Sequence, residues 1–287
     1  MSYQDHTLTD QVSEQNAPIG ADPTGPEMFG HPKGLFYLFF AELWERFSFY
    51  GMRALLVLYM TKSLFVSLAN RDEIAIGIFA AYGALVYATP VIGGMIADRL
   101  LGYRKAIMLG AIFMALGHFA LAIEHPVFFY GSLALLIVGN GFFKPNISTL
   151  VGTLYKEGDK RRDAGFTIFY MGINLGAMIA PLLCGWLGET YGWHYGFGAA
   201  GVGMLLGLIM FWQGGRSGVF GNKGLPPEPQ ALKSRVGGIS KEMWVNILSI
   251  LSLPLFALLM FNGTLSLPGL GETQFDGSLI SYLMMIM

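Results

Sequence analysis

The stretch Glu42-Leu43-Trp44-Glu45-Arg46-Phe47-Ser48-Phe49-Tyr50-Gly51-Met52-Arg53 places two acids and two arginines inside a run, Leu35 to Tyr59, that is otherwise apolar. A run of that length can cross a bilayer. Each charge costs roughly 2.5–3.5 kcal/mol at the bilayer centre if it faces lipid. At about 100° per residue, Glu42, Glu45, Arg46, Phe49, Tyr50 and Arg53 fall within an arc of roughly 140°. Such a stripe must face protein or water. The helix therefore lines an enclosed polar cavity, and that cavity is the candidate site.

The rest of the chain sets this helix among others of its kind. Of 287 residues, 53% are hydrophobic and 13% charged, with a mean hydropathy of +0.51. Soluble domains carry about 25% charged residues. The deficit lies in long apolar segments, which predicts an all-α, polytopic membrane protein. A net charge of −1 gives no sign of a nucleic-acid partner. The single cysteine, Cys184, excludes an internal disulfide and argues against a structural zinc site. The first thirty residues are polar, with Pro18, Pro23 and Pro26. Residues 1–33 read as a flexible tail rather than a signal peptide.

Beyond Tyr59, a polar loop with Lys62, Asn70, Arg71, Asp72 and Glu73 leads into a second span, Ile74 to about Ala97. Further spans run from about Arg104 to Ile123, Val127 to about Leu154, Ala164 to Leu187 and about Tyr195 to Gln213. Residues 34–213 thus form a six-helix bundle. Its many glycines suit helices that approach closely without a hydrophobic drive. Lys and Arg collect on one side: Arg99, Arg104 and Lys105, then Lys156, Lys160, Arg161 and Arg162, then Arg216, Lys223, Lys233, Arg235 and Lys241. The opposite side has Lys62 and Arg71. The positive-inside rule places the N-terminus in the cytoplasm of a cell-membrane protein.

Residues 214–238 read as a Gly/Pro-rich basic linker on the cytoplasmic side. An extra span follows over 239–262, interrupted by Pro254. Residues 263–287 comprise a turn-rich periplasmic loop and an apolar run that starts at Ser278 and stops at Met287 without a polar flank. A helix ending in mid-membrane leaves its last carbonyls unpaired, so the sequence reads as a fragment.

A fifth intramembrane charge, Lys144, sits in Gly139-Asn140-Gly141-Phe142-Phe143-Lys144-Pro145-Asn146 on the fourth span. At about 1.5 Å per residue, Glu45, Lys144, Tyr87 and Asn174 come out roughly 15 Å from the cytoplasmic face. Four helices therefore put polar groups on one level. The bland reading is that the charges pair off and fix register. A static pair needs one acid and one base, however, and the surplus of bases suits an anionic group such as a carboxylate, which Arg53 can bind bidentately. A glutamate at this depth can change protonation state near neutral pH, because desolvation and the nearby bases pull oppositely. One proton charge crossing the membrane potential is worth about 2.3 kcal/mol per 100 mV, enough for roughly 50-fold accumulation.

Tyr50, Tyr87, Tyr170 and Asn174 are each equally at home as packing residues, but together they offer neutral hydrogen bonds to a peptide-like backbone. Tyr170 and Asn174 are one turn apart, followed by Met178 and Pro181 on the same face. His118 reads as a packing histidine, and His125 and His194 lie at the outer boundary without a role. No paired histidines, Ser/His/Asp set or metal-spaced ligands occur in the spans, which argues against an enzyme. In Gly93-Gly94-Met95-Ile96-Ala97-Asp98-Arg99-Leu100-Leu101-Gly102-Tyr103-Arg104-Lys105 the glycines permit a tight turn, and Asp98 can pair or cap. This turn is either a capped basic loop or a latch that releases on rocking.

Gly-x-x-x-Ala97-Asp98-Arg99-x-x-Gly102-x-Arg104-Lys105 resembles the loop motif of the major facilitator superfamily. Glu42-x-x-Glu45-Arg46 is similar to the ExxER signature of its proton-dependent oligopeptide transporters, with Phe49 where tyrosine is common. Phe169-Tyr170-Met171-Gly172-Ile173-Asn174-Leu175-Gly176 resembles the same family's span-five signature. The resemblance covers about residues 31 to 213. It implies proton-driven uptake of di- and tripeptides through two six-helix bundles, with a proton gradient and no cofactor. Glu42, Glu45, Arg46 and Lys144 would couple protons. Arg53, Tyr50, Tyr87, Lys144, Tyr170 and Asn174 would face the peptide, and Asp98, Arg99 and Pro181 would gate. The run 239–262 and that from Ser278 look like the two extra helices of bacterial members, and the C-terminal bundle would be a missing partner. The alternatives are a carrier for another small anion, such as nitrate or an organic acid, on the same fold, and a regulatory half-transporter.

Overall fold

A computed structural model describes residues 26–261, 263–267 and 271–275. A short hairpin, β1 (Glu27–Met28) and β2 (His31–Pro32), leads into the charged helix α1 (Lys33–Tyr59). One π-helical turn, Met60–Leu64, ends it. Then follow α2 (Arg71–Ile96), α3 (Tyr103–Leu121), α4 (Pro126–Thr153), α5 (Arg162–Tyr191) and α6 (Trp193–Arg216). Local chemistry marks the ends. Asp72 and Glu73 occupy the first turn of α2, where the helix dipole favours acids. His125 caps α4 by accepting from the Val127 amide at 3.3 Å, with Pro126 at its first position. A second π-helical turn, Ala97–Leu101, closes α2 and ends at Gly102, whose φ of +71° suits glycine.

Among the described residues six helices are long and apolar enough to cross a membrane: α2 to α6 and the stretch Lys241–Met260. With 27 residues α1 is long enough too, but charged within. The helices pack in the order α5, α1, α6, α3, α4, α2, and α1 meets α2 and α4 at few points. A cleft thus separates the α1–α5 side from the α2–α4 side. Close approach depends on missing side chains. A Cβ on Gly93 would run into the Gly141 carbonyl, and one on Gly110 would meet the Gly139 carbonyl at 2.5 Å. Across the first contact Thr89 donates to Leu85 O and Ile137 O at 3.0 Å each, binding α2 to α4. Pro145 does not interrupt α4. The Asn146 amide beside it donates to Phe142 O at 2.7 Å and to Gly93 O at 3.5 Å.

Three segments differ from the sequence reading. Residues 27–32, placed in the tail, form the β1–β2 hairpin instead. Arg161 Nη1 donates to Glu27 Oε1 at 2.8 Å and to Gly30 O at 3.0 Å, and His31 Nδ1 lies 2.9 Å from the Tyr155 hydroxyl. The linker carries structure: α7 (Pro229–Lys233) and a hairpin of β3 (Arg235–Val236) and β4 (Ile239–Ser240). The extra span is interrupted near Pro254 as the sequence reading has it: α8 (Lys241–Leu251) and α9 (Leu253–Met260) break at Ser252, with Pro254 in the first turn of α9. Beyond it β5 (Gly263–Leu267) pairs antiparallel with β6 (Gly271–Phe275) where a loop was expected. The expected apolar run from Ser278 to Met287 and the tail before residue 26 lie outside the described residues.

Candidate functional site

The charged stripe of α1 faces protein. Glu42, Glu45 and Arg46 are 3%, 0% and 4% exposed. Arg46 Nη2 donates to Glu45 Oε1 at 2.7 Å, and Arg46 Nε lies 3.2 Å from Glu42 Oε1 and closer still to Glu45 Oε2. One guanidinium thus clamps two carboxylates. Fully ionised, the trio carries one uncompensated negative charge, and Glu42 Oε2 has no partner among the described residues. A buried unpaired charge is strongly destabilising. It must be balanced by a further base or by a proton on one carboxylate.

The further base comes from α4. Lys144 is half-buried and close enough to act electrostatically on Glu42. Its ammonium also lies 4.9 Å from the centre of the Tyr87 ring on α2. Arg53, one turn beyond Tyr50 on α1, reaches α2 too, 5.0 Å from the Phe79 ring centre. Of the two free bases of the sequence reading, Arg53 therefore crosses the cleft to α2, whereas Lys144 meets α2 from the same side of it. Tyr82 on α2 was missed: it is 2% exposed and feels the charges of Glu45, Arg53 and Arg46. A single tyrosine in an apolar helix carries no signal in sequence, and only the neighbouring helix shows what it faces.

The remaining residues lie on an open face. Tyr87 is 65% exposed, Tyr170 is 50% exposed, and Asn174 and Pro181 are exposed beside Met178. The stripe Tyr170, Asn174, Met178, Pro181 on α5 and Tyr87 on α2 flank the cleft into which Tyr50, Arg53 and Lys144 reach. Structure thus divides the predicted set in two: a buried ionic trio behind, and a rim of half-exposed bases and hydrogen-bonding groups in front. Asp98 and Arg99 are exposed at the basic end of α2. His118 is fully buried, yet neither ring nitrogen has a partner among the described residues. No cluster of three potential metal ligands occurs among the described residues.

Comparison with known proteins gives this arrangement a class. The family model for the POT family matches residues 104–247. An uncharacterized transporter, YclF, of Bacillus subtilis is 50% identical over 73% of this chain and 43% of its own length. A di-/tripeptide transporter of Lactococcus lactis is 47% identical over 67% of this chain and 39% of its own. A solved peptide transporter, POT, in complex with sulfate superposes with a TM-score of 0.68 at 44% identity, covering 82% of this chain and 47% of that one. The chain is thus a multi-pass membrane protein carrying a six-helix bundle of the major facilitator superfamily fold. It belongs to the POT family. It spans less than half the length of these relatives.

Proposed function

We propose that this chain supplies one half of a proton-coupled symporter for di- and tripeptides, working by alternating access in the cell membrane. The observation that carries the reading is the buried trio, two carboxylates on one guanidinium with a second base across the cleft. Glu42 and Glu45 share Arg46, so one of them holds a proton whenever Lys144 is drawn away. An incoming peptide carboxylate draws it away, because Lys144 and Arg53 are the bases on the open rim. Substrate binding and proton occupancy are then linked by competition for the same positive charge. Tyr50, Tyr87, Tyr170 and Asn174 hydrogen-bond the peptide backbone. Asp98 and Arg99 at the α2–α3 turn, with Pro181 on α5, move as the two halves of the full carrier rock. A second six-helix bundle closes the open face, and no cofactor takes part, since the gradient supplies the free energy. The names of the curated relatives support peptides over nitrate or an organic acid as cargo.

The test is Glu45→Gln in the full-length protein reconstituted into liposomes. Gradient-driven accumulation of di-alanine should be lost while counterflow of the same peptide persists. Retained uphill accumulation would remove Glu45 from coupling, and competition by nitrate equal to that by di-alanine would favour the other anion.

A further inference from the structure

Behind the bundle, on the side away from the cleft, α2 and α4 and the α8–α9 pair enclose a cavity of about 250 Å³. Thr89, Ile92 and Ile96 line it from α2, Val138 and Phe142 from α4, and Val245, Leu248 and Phe256 from the α8–α9 pair. Its hydroxyls are all spent on main chain. Thr89 donates to two carbonyls, Ser249 to Val245 O at 2.8 Å and Ser252 to Ser249 O at 2.7 Å. A polar occupant would find no partner, so the cavity suits hydrocarbon. Ile92 and Leu248 at its mouth are 59% and 57% exposed, which opens it to the surrounding acyl chains.

Both long walls run to a base at the same end. On α8 the lining positions Ser252, Ser249, Leu248 and Val245 continue one turn to Lys241, about 6 Å further. On α2 the lining positions Thr89, Ile92 and Ile96 continue to Arg99. The acid next to Lys241 is occupied: Glu242 Oε1 lies 2.5 Å from Lys105 Nζ. No ion pair to Arg99 or Lys241 is found among the described residues. An apolar slot ending in two uncommitted bases is complementary to a negatively charged amphiphile.

We propose that this cleft binds one anionic phospholipid, with an acyl chain in the cavity and the phosphate at Arg99 and Lys241. The lipid wedges the kinked α8–α9 pair against the bundle, and the inference holds whatever the protein carries.

Native mass spectrometry of the full-length protein, released from nanodiscs of phosphatidylglycerol and phosphatidylcholine in equal amounts, tests it. One phosphatidylglycerol should be retained in preference to phosphatidylcholine. Arg99→Gln or Lys241→Gln should each weaken retention roughly fivefold, and both together roughly thirtyfold. Leu248→Trp, which fills the mouth and leaves both bases, should also abolish it. Equal retention of the two lipids, or unchanged retention in the double variant or in Leu248→Trp, overturns the proposal. Displacement by excess inorganic phosphate alone would reduce the site to a surface anion site and overturns it too.

Discussion

Arg53 and Asp159 show how much one side chain decides at opposite ends of the bundle. Arg53 is half-buried at the cleft, and its planar fork can grip a carboxylate through two parallel bonds, which a lysine cannot. Arg53→Lys should weaken binding of peptides with a free C-terminus roughly tenfold while leaving amidated ones near wild type, as read by competition uptake. Equal loss for both would withdraw the carboxylate role. Asp159 bonds Arg161 Nη2 at 2.9 Å, and these hydrogen bonds hold its carboxyl below the ordinary 3.8. A depressed folded pKa contributes stability above the unfolded value that is lost as pH falls through the folded one. The β1–β2 hairpin, held by Arg161 through Glu27, should therefore stay protected at pH 5 to 8 and lose protection progressively as pH falls below the ordinary carboxylate value. Hydrogen exchange at residues 27–32 measures this, and protection unchanged at pH 3 would count against it. His31, which bonds Tyr155, stays within the same hairpin and reports on it.

Helix ends and helix contacts obey different rules, and sequence sees the first better. The spans were legible because 18 or more apolar residues need no tertiary context to be read. Although His125, left without a role in the sequence, proved to cap α4, the break near Pro254 was legible for the same local reason. Contacts were not. That Gly93 faces the backbone of Gly141 rather than open lipid follows from which helices became neighbours. Gly93→Ala should push α2 off α4 and cost about 1–3 kcal/mol, seen as a lowered unfolding midpoint in detergent. An unchanged midpoint would mean that the two helices do not touch there. The linker misled for a related reason. Its Gly and Pro content reads as a free tether, yet Arg104 Nη2 donates to Gly221 O at 2.5 Å and the Arg104 amide donates to Gly224 O at 3.0 Å. Leu232 is buried against Ala97, Leu101 and Ala106. A tether gains order when a surface exists for it to lie on, and that surface is tertiary.

Across the whole molecule, the basic loops lie at one end, which predicts sidedness. A cysteine at Lys223, in a Cys184→Ser background, should react with a membrane-impermeant maleimide in inside-out vesicles and not in right-side-out ones. The reverse pattern would invert the topology. By itself the sequence determined that α1 must hide a charged stripe, because hydrocarbon cannot solvate ions, and that the chain crosses the membrane repeatedly, because its apolar runs match the bilayer. It also carried the family's motifs in plain order. Only the tertiary structure decided that Arg46 takes both glutamates while Lys144 and Arg53 reach toward α2, that Tyr82 joins them, and that Tyr87, Tyr170 and Asn174 stand on an open rim. Helical periodicity gives the direction of a side chain around its own axis, whereas its partner depends on which helix stands opposite, and that is fixed by packing.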